Sequence, residues 1–178
     1  MDYNIVSLRS ILKEYQEPDV EKKLSTFLCS KDKDRERYLH NLAIPMEKRG
    51  MSRTYLAIDN SNRIVGYFSV GMKCMTIPDN VPISNSLRKK LNVNQETGVS
   101  QMYLLGQLAR SDDSEPGLGS SLLEDALDTI NWAYLAVGCR VVRVDCTDDL
   151  VNYYIKHGFT YINKNVIENL NRMITVID

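Results

Sequence analysis

The sequence predicts an α/β domain, and three observations carry that prediction. The hydrophobic period changes partway along the chain from helical spacing to strand spacing. One strand runs through a glycine-containing loop directly into a long amphipathic helix, the unit from which α/β folds are built. The chain also has 178 residues, 43% hydrophobic and 25% charged, which suits one compact domain over residues 1–178 with a core of its own.

The elements follow in order. Ser7 to Leu12 opens with helical signals, and after Pro18 the residues Val20, Leu24, Phe27 and Leu28 recur at helical spacing. Alternating charges from Lys31 to Arg37 give a solvated face, followed by an amphipathic stretch with Tyr38, Leu39, Leu42 and Ala43, which Pro45 is expected to bend or end. Thr54 to Ile58, the turn cluster Asp59-Asn60-Ser61-Asn62 and Ile64 to Val70 read as a β-hairpin. Residues 78–98 are rich in Pro, Asn and Ser around a short basic helix at Leu87–Leu91, and read as an insertion between strands. Met102 to Leu108 is apolar enough for a central strand, and Gly117 opens a helix that places Leu118, Leu122, Ala126, Ile130 and Ala133 on one face. Val141 to Val144 is the next strand. Thr147 is a candidate N-cap for a helix carrying Tyr153 and Tyr154, which Gly158 stops, and strands at Phe159–Ile162 and Arg172–Ile177 finish the chain.

Composition narrows the function. Lys and Arg number 22 against 23 Asp and Glu, a net charge of −1, so any polyanion must be met by a local patch rather than a global field. No apolar run reaches the ~18 residues of a membrane span, and MDYNIVSLRS lacks the order of a secretory signal, so a cytoplasmic protein with no membrane partner is expected. Cys29, Cys74, Cys139 and Cys146 are dispersed and read as reduced core thiols. His40 and His157 stand alone, without CxxC or HxxxH spacing, so no metal site is expected.

The most informative segment is the strand Tyr103–Leu108, the polar loop from Arg110 to Pro116, and Gly117-Leu118-Gly119-Ser120 at a helix start. Glycines let backbone approach a ligand, while the unpaired N–H groups of a first helical turn and the helix dipole attract phosphate. A dinucleotide fingerprint would need glycine where Leu122 stands, and a P-loop would need Lys-Ser/Thr where Ser120-Ser121 stand, so both are excluded. Asp112, Asp113 and Glu115 would repel a diphosphate if they pointed inward, and are expected to face solvent.

These residues resemble the GNAT (GCN5-related) N-acetyltransferases. Leu108-Ala109, a loop, and Ser114-Glu115-Pro116-Gly117-Leu118-Gly119 match the acetyl-CoA signature, with Ser114 where that family has Arg or Gln. Tyr153-Tyr154-Ile155-Lys156-His157-Gly158-Phe159 matches a second signature, with Thr147 in place of a common Asn. Phe27-x-Cys29, Tyr38-Leu39, Ser52 to Leu56 and Val65 to Ser69 look like the branch containing toxins of toxin–antitoxin pairs, which acetylate the amino acid on charged tRNA. The resemblance implies a mixed, mostly antiparallel twisted sheet with helices on both faces. It also implies acetyl-CoA as cosubstrate, held by Leu108, Ala109, Arg110, Ser114, Gly117, Leu118, Gly119 and Ser120, and Tyr154 as the acid that protonates the CoA sulfur.

The general base is open among Glu96, Asp145 and His157; an α-amine, with a pKa near 7.7–8.0, would need little help from any of them. Cys139 and Cys146 are poor candidates for an acyl-carrying nucleophile, since no histidine is near and their neighbours are apolar. The expected reaction is acetyl transfer to a primary amine of a small molecule or protein. Two alternatives remain: acetylation of aminoacyl-tRNA, for which Arg88-Lys89-Lys90 is the concentrated basic segment, and a non-catalytic CoA-binding module. The resemblance leaves room for a homodimer and for an antitoxin partner.

Overall fold

The computed structural model describes residues 2–78 and 80–177. Seven strands, in the order β1-β2-β3-β4-β5-β7-β6, form one mixed sheet. The chain divides into two compact units, Met1–Gly71 with Gly106–Asp128, and Met72–Leu105 with Thr129–Asp178.

In the first unit β1 (Tyr3–Ser7) pairs antiparallel with β2 (Ser52–Asp59), and β2 pairs antiparallel with β3 (Ile64–Thr76). Sequence reasoning missed β1 because the helical signal of the next residues reaches back to Ser7, whose extended backbone instead closes the strand and precedes α1 (Leu8–Glu14). Helix α2 (Glu17–Leu24) is set by Pro18 in its first turn, with acids at its N-terminus and Lys22 and Lys23 at its end, as the helix dipole favours. The short α3 (Lys33–Arg37) is capped by Asp32, whose carboxylate accepts from Arg35 N at 3.1 Å.

Pro45 does not end its helix. A π-turn over Tyr38–Leu42 leads straight into α4 (Ala43–Lys48), so Pro45 falls in a first turn, where a missing N–H costs nothing. Leu8, Leu24, Phe27, Leu39, Leu56 and Tyr67 are the centre of a core between these helices and one face of the sheet. The other face receives α6 (Leu118–Val137). A Cβ on Gly66 would stand 2.5 Å from Leu122 Cδ1 and 3.0 Å from the Ala109 carbonyl oxygen, so only glycine lets the helix lie this close. Tyr3 ties the same helix down by donating to Asp125 at 2.6 Å.

In the second unit β4 (Val99–Arg110) runs parallel to β5 (Val141–Cys146) with Tyr103 to Leu105 opposite Val142 to Val144. β5 pairs antiparallel with β7 (Leu170–Val176), which pairs antiparallel with β6 (Thr160–Asn165). The expected insertion is present, with α5 (Asn85–Lys90) capped by Ser84, and Leu91, Met75, Met102 and Ile174 forming a second core beneath it. Thr147 precedes a 3₁₀ turn (Asp148–Leu150) and α7 (Val151–Lys156), but its side chain makes no capping bond. The cysteines are not uniformly core: Cys29 and Cys146 are buried, Cys139 is half-buried and Cys74 is exposed, and all four are free thiols.

Candidate acyl-CoA site

Strand β4 carries one more residue between Gly98 and Ser111 than β3 carries between Val65 and Ile77, the two spans closed by Ile77 N to Gly98 O and Ser111 N to Val65 O. Leu108 and Ala109 are buried, and the Leu108 carbonyl accepts from Arg35 Nη1 at 2.8 Å, so α3 braces the end of the strand. Tyr67 steadies that brace by donating to the Arg35 carbonyl at 2.6 Å.

The loop after β4 is pinned from outside. Ser111 N donates to Val65 O at 2.8 Å and Asp112 N to Leu28 O at 3.0 Å. The Asp112 carboxylate accepts from Ser30 N at 2.9 Å and from Ser30 Oγ at 2.6 Å, and these bonds hold its pKa below the usual carboxylate value. Asp113, largely exposed, lies 3.9 Å from Arg63. These two acids of the loop are therefore engaged by Ser30 and Arg63.

Ser114 is buried, donating to the Ser111 carbonyl at 2.7 Å and accepting from Arg110 Nη1 at 3.0 Å. Its hydroxyl serves the loop's own conformation, with one Arg110 N–H directed to it. Gly117 follows with φ +91, a conformation other residues strain to adopt, and with open space where a Cβ would stand. Ser120 N donates to Gly117 O at 3.0 Å and Leu118 N reaches Glu115 O at only 3.4 Å. Among the described residues the amides of Gly117 and Gly119 make no hydrogen bond. N–H groups at the positive end of a 20-residue helix with no acid in its first turn are donors of the kind that bond an anion.

Tyr154 belongs to the second unit. It is 2% exposed, its ring meeting Tyr153 at 5.2 Å and Phe159 at 5.3 Å between centroids. Of the candidate bases, Asp145 gives both oxygens to Arg143, at 2.7 and 2.6 Å, and His157 Nδ1 bonds the Tyr153 carbonyl at 2.8 Å as a helix C-cap. Glu96 lies in a turn closed by Asn94. Sequence reasoning missed Arg35, Ser30 and Gly66; Ser30 and Asp112 lie 82 residues apart, and nothing local announces that pairing.

A mostly antiparallel open sheet with helices, and a glycine loop opening the long helix α6, is the arrangement of the GNAT fold. Toxins are among the solved structures it resembles. AtaT complexed with acetyl-methionyl-tRNAfMet is 21% identical, with 98% of this chain and 95% of that chain covered and a TM-score of 0.74. A tyrosine-to-phenylalanine mutant of KacT is 17% identical over 99% of this chain and 95% of that one, with a TM-score of 0.75. A tyrosine-to-phenylalanine mutant of AtaT bound to the C-terminus of the antitoxin AtaR and acetyl-CoA is 19% identical over 99% and 94%, with a TM-score of 0.69. No protein-family model and no curated protein matches the chain. Likeness at this identity establishes the fold.

Proposed function

We propose that the protein is an acetyl-CoA-dependent N-acetyltransferase. The observation that carries the reading is the pair of amides at Gly117 and Gly119 without a hydrogen bond among the described residues, at the start of α6 and behind a loop in which Asp112 and Asp113 are engaged by Ser30 and Arg63. These amides hold the pyrophosphate, with Leu108, Ala109 and Arg110 offering backbone along β4 and Leu118 and Ser120 completing the first turn. Bound there, acetyl-CoA supplies an acetyl group activated as a thioester. The acceptor amine attacks the acetyl carbon, the C–S bond breaks, and Tyr154 gives its hydroxyl proton to the departing sulfur. An α-amine, with a pKa of about 7.7–8.0, is partly neutral near pH 7 and can pass its proton to water, in keeping with a site where Asp145 and His157 are committed to other bonds.

Two acceptor classes compete: a primary amine of a small molecule or protein, and the α-amine of aminoacyl-tRNA. The second is favoured by likeness along nearly the whole chain to AtaT in complex with an acetylated aminoacyl-tRNA. On that reading the protein works in the cytoplasm, and a small antitoxin restrains it, as AtaR is bound to AtaT. Among the described residues no helix is long and apolar enough to cross a membrane.

The test is Tyr154→Phe. It removes only the hydroxyl, so acetyl-CoA binding and Tm should hold while kcat falls by roughly 10²–10⁴. Full turnover by Tyr154→Phe at saturating acceptor would remove Tyr154 from the chemistry. Assays with charged tRNA against free amines and peptides decide the acceptor, and growth arrest on expression, relieved by Tyr154→Phe, should accompany the tRNA outcome.

A further inference from the structure

One sheet face of the second unit holds a polar row inside otherwise apolar packing. Asn163 on β6, Arg172 on β7 and Asp145 on β5 are successive cross-strand partners, so their side chains share that face. Arg143, two residues before Asp145 on the same strand, shares it too. Arg143 is 2% exposed and fully buried, and it takes both Asp145 oxygens in a bidentate pair. That pair is self-sufficient and accounts for the burial of both charges.

Arg172 stands directly opposite Asp145 and takes no part in it. Its Nε is buried without a hydrogen-bond partner, and so is the Oδ1 of Asn163, its neighbour on the other side. Leaving such groups unsatisfied is costly, and such exceptions to the usual pairing concentrate at functional or strained sites. With two guanidinium groups and one carboxylate, the row carries one uncompensated positive charge. A planar guanidinium offering N–H groups matches an oxyanion, and an adjacent carbonyl oxygen matches an N–H or O–H donor on the same ligand.

We propose that Arg172 and Asn163 form an oxyanion-binding site that takes a phosphate-bearing ligand, with Arg172 meeting the phosphate and Asn163 accepting a hydrogen bond from a donor beside it. In the acetyl-transfer reading, on which only the ligand's identity rests, the phosphate belongs to the acceptor and Arg172 is a specificity residue for it.

Inorganic phosphate is the direct probe. In ¹H–¹⁵N spectra of the full chain, the Arg172 Nε–H signal, identified by its loss in Arg172→Lys, should shift saturably as phosphate is added. It should do so in Tyr154→Phe as well, where turnover is removed. An Arg172 signal that phosphate does not move overturns the site. Stability gives a second readout: Arg172→Met should keep or raise Tm, since it removes an unsatisfied buried group, whereas Arg143→Met should lower Tm by stranding Asp145. If Arg172→Met lowers Tm as far as Arg143→Met, Arg172 is structural and the proposal fails.

Kinetics separate the two phosphate sources. Arg172→Gln should raise the acceptor KM roughly 10-fold to 100-fold, the loss of a charge-assisted hydrogen bond, with the acetyl-CoA KM unchanged. A rise confined to acetyl-CoA overturns the acceptor assignment. A phosphate-responsive Arg172 in a protein that turns over no acetyl-CoA would sink the acetyl-transfer reading and leave the site standing.

Discussion

Replacing Gly66 with alanine tests whether the close approach of α6 to β3 builds the proposed phosphate site. The added Cβ would lie 2.5 Å from Leu122 Cδ1 and 3.0 Å from the Ala109 carbonyl oxygen. Leu122 is 0% exposed and has little room to swing away, and the carbonyl belongs to the strand that leads into the loop. Overpacking of this kind costs about 1–3 kcal/mol, offset by about 0.4–1 kcal/mol because alanine restricts the unfolded chain. At the midpoints of these ranges the net loss is about 1.3 kcal/mol, which for a chain of this size lowers Tm by roughly 3–5 °C. Thermal unfolding followed by circular dichroism measures it, and repeating the melt with acetyl-CoA shows whether the displaced helix start still binds. Leu122→Ala alone should cost about 2–5 kcal/mol, while the double variant should cost less than the sum, since the truncated side chain makes room for the new methyl. An unchanged or higher Tm for Gly66→Ala, or strictly additive losses in the double variant, would refute the argument.

Three further outcomes are expected. Gly119→Val, which places a branched side chain at the first helical turn, should abolish the Tm increase that acetyl-CoA gives the wild type, while the protein still folds. The Asp112 latch should be pH-dependent: because its folded pKa is depressed, its stabilisation is present above the unfolded value of about 3.9 and is lost as pH falls through the folded pKa. A Tm deficit of Asp112→Ala at pH 7 should therefore shrink to nothing in strong acid, and a deficit that persists there would assign the effect to packing. Neutralising Arg88, Lys89 and Lys90 together should weaken binding of charged tRNA and flatten its salt dependence if that acceptor is correct; unchanged binding would place the RNA contact elsewhere.

What the sequence made legible is what local pattern encodes. The hairpin across Asp59–Asn62, the strand before Gly117 and the long apolar face of α6 each follow from the spacing of a few neighbouring residues, and the structure has all three. Where two patterns overlap, one hides the other: the five residues of β1 abut a helix that begins immediately at Leu8, so the strand was invisible beside the stronger helical signal. Pro45 misled because a proline reads as a helix breaker, whereas here it follows a five-residue π-turn with no sequence signature of its own. The candidate site was legible as a loop and a helix start, whereas the direction of its acids was set by Ser30 and Arg63, and Arg172 gained its isolation only from register across three strands. Those are long-range pairings, settled by tertiary packing.

The loop between β4 and α6 enters binding already shaped. Its shoulders are fastened to Val65, Leu28 and Ser30, and its middle is closed by the Arg110, Ser111 and Ser114 bonds. Fixing a free backbone residue costs about 1–2 kcal/mol in conformational entropy. A limp loop of the same length would surrender that for each residue at every binding event; here the loss is taken once, when the chain folds. On the proposed acetyl-CoA reading, an arriving phosphate would need no slow rearrangement of this loop, and capture would be limited by encounter and orientation rather than by loop closure.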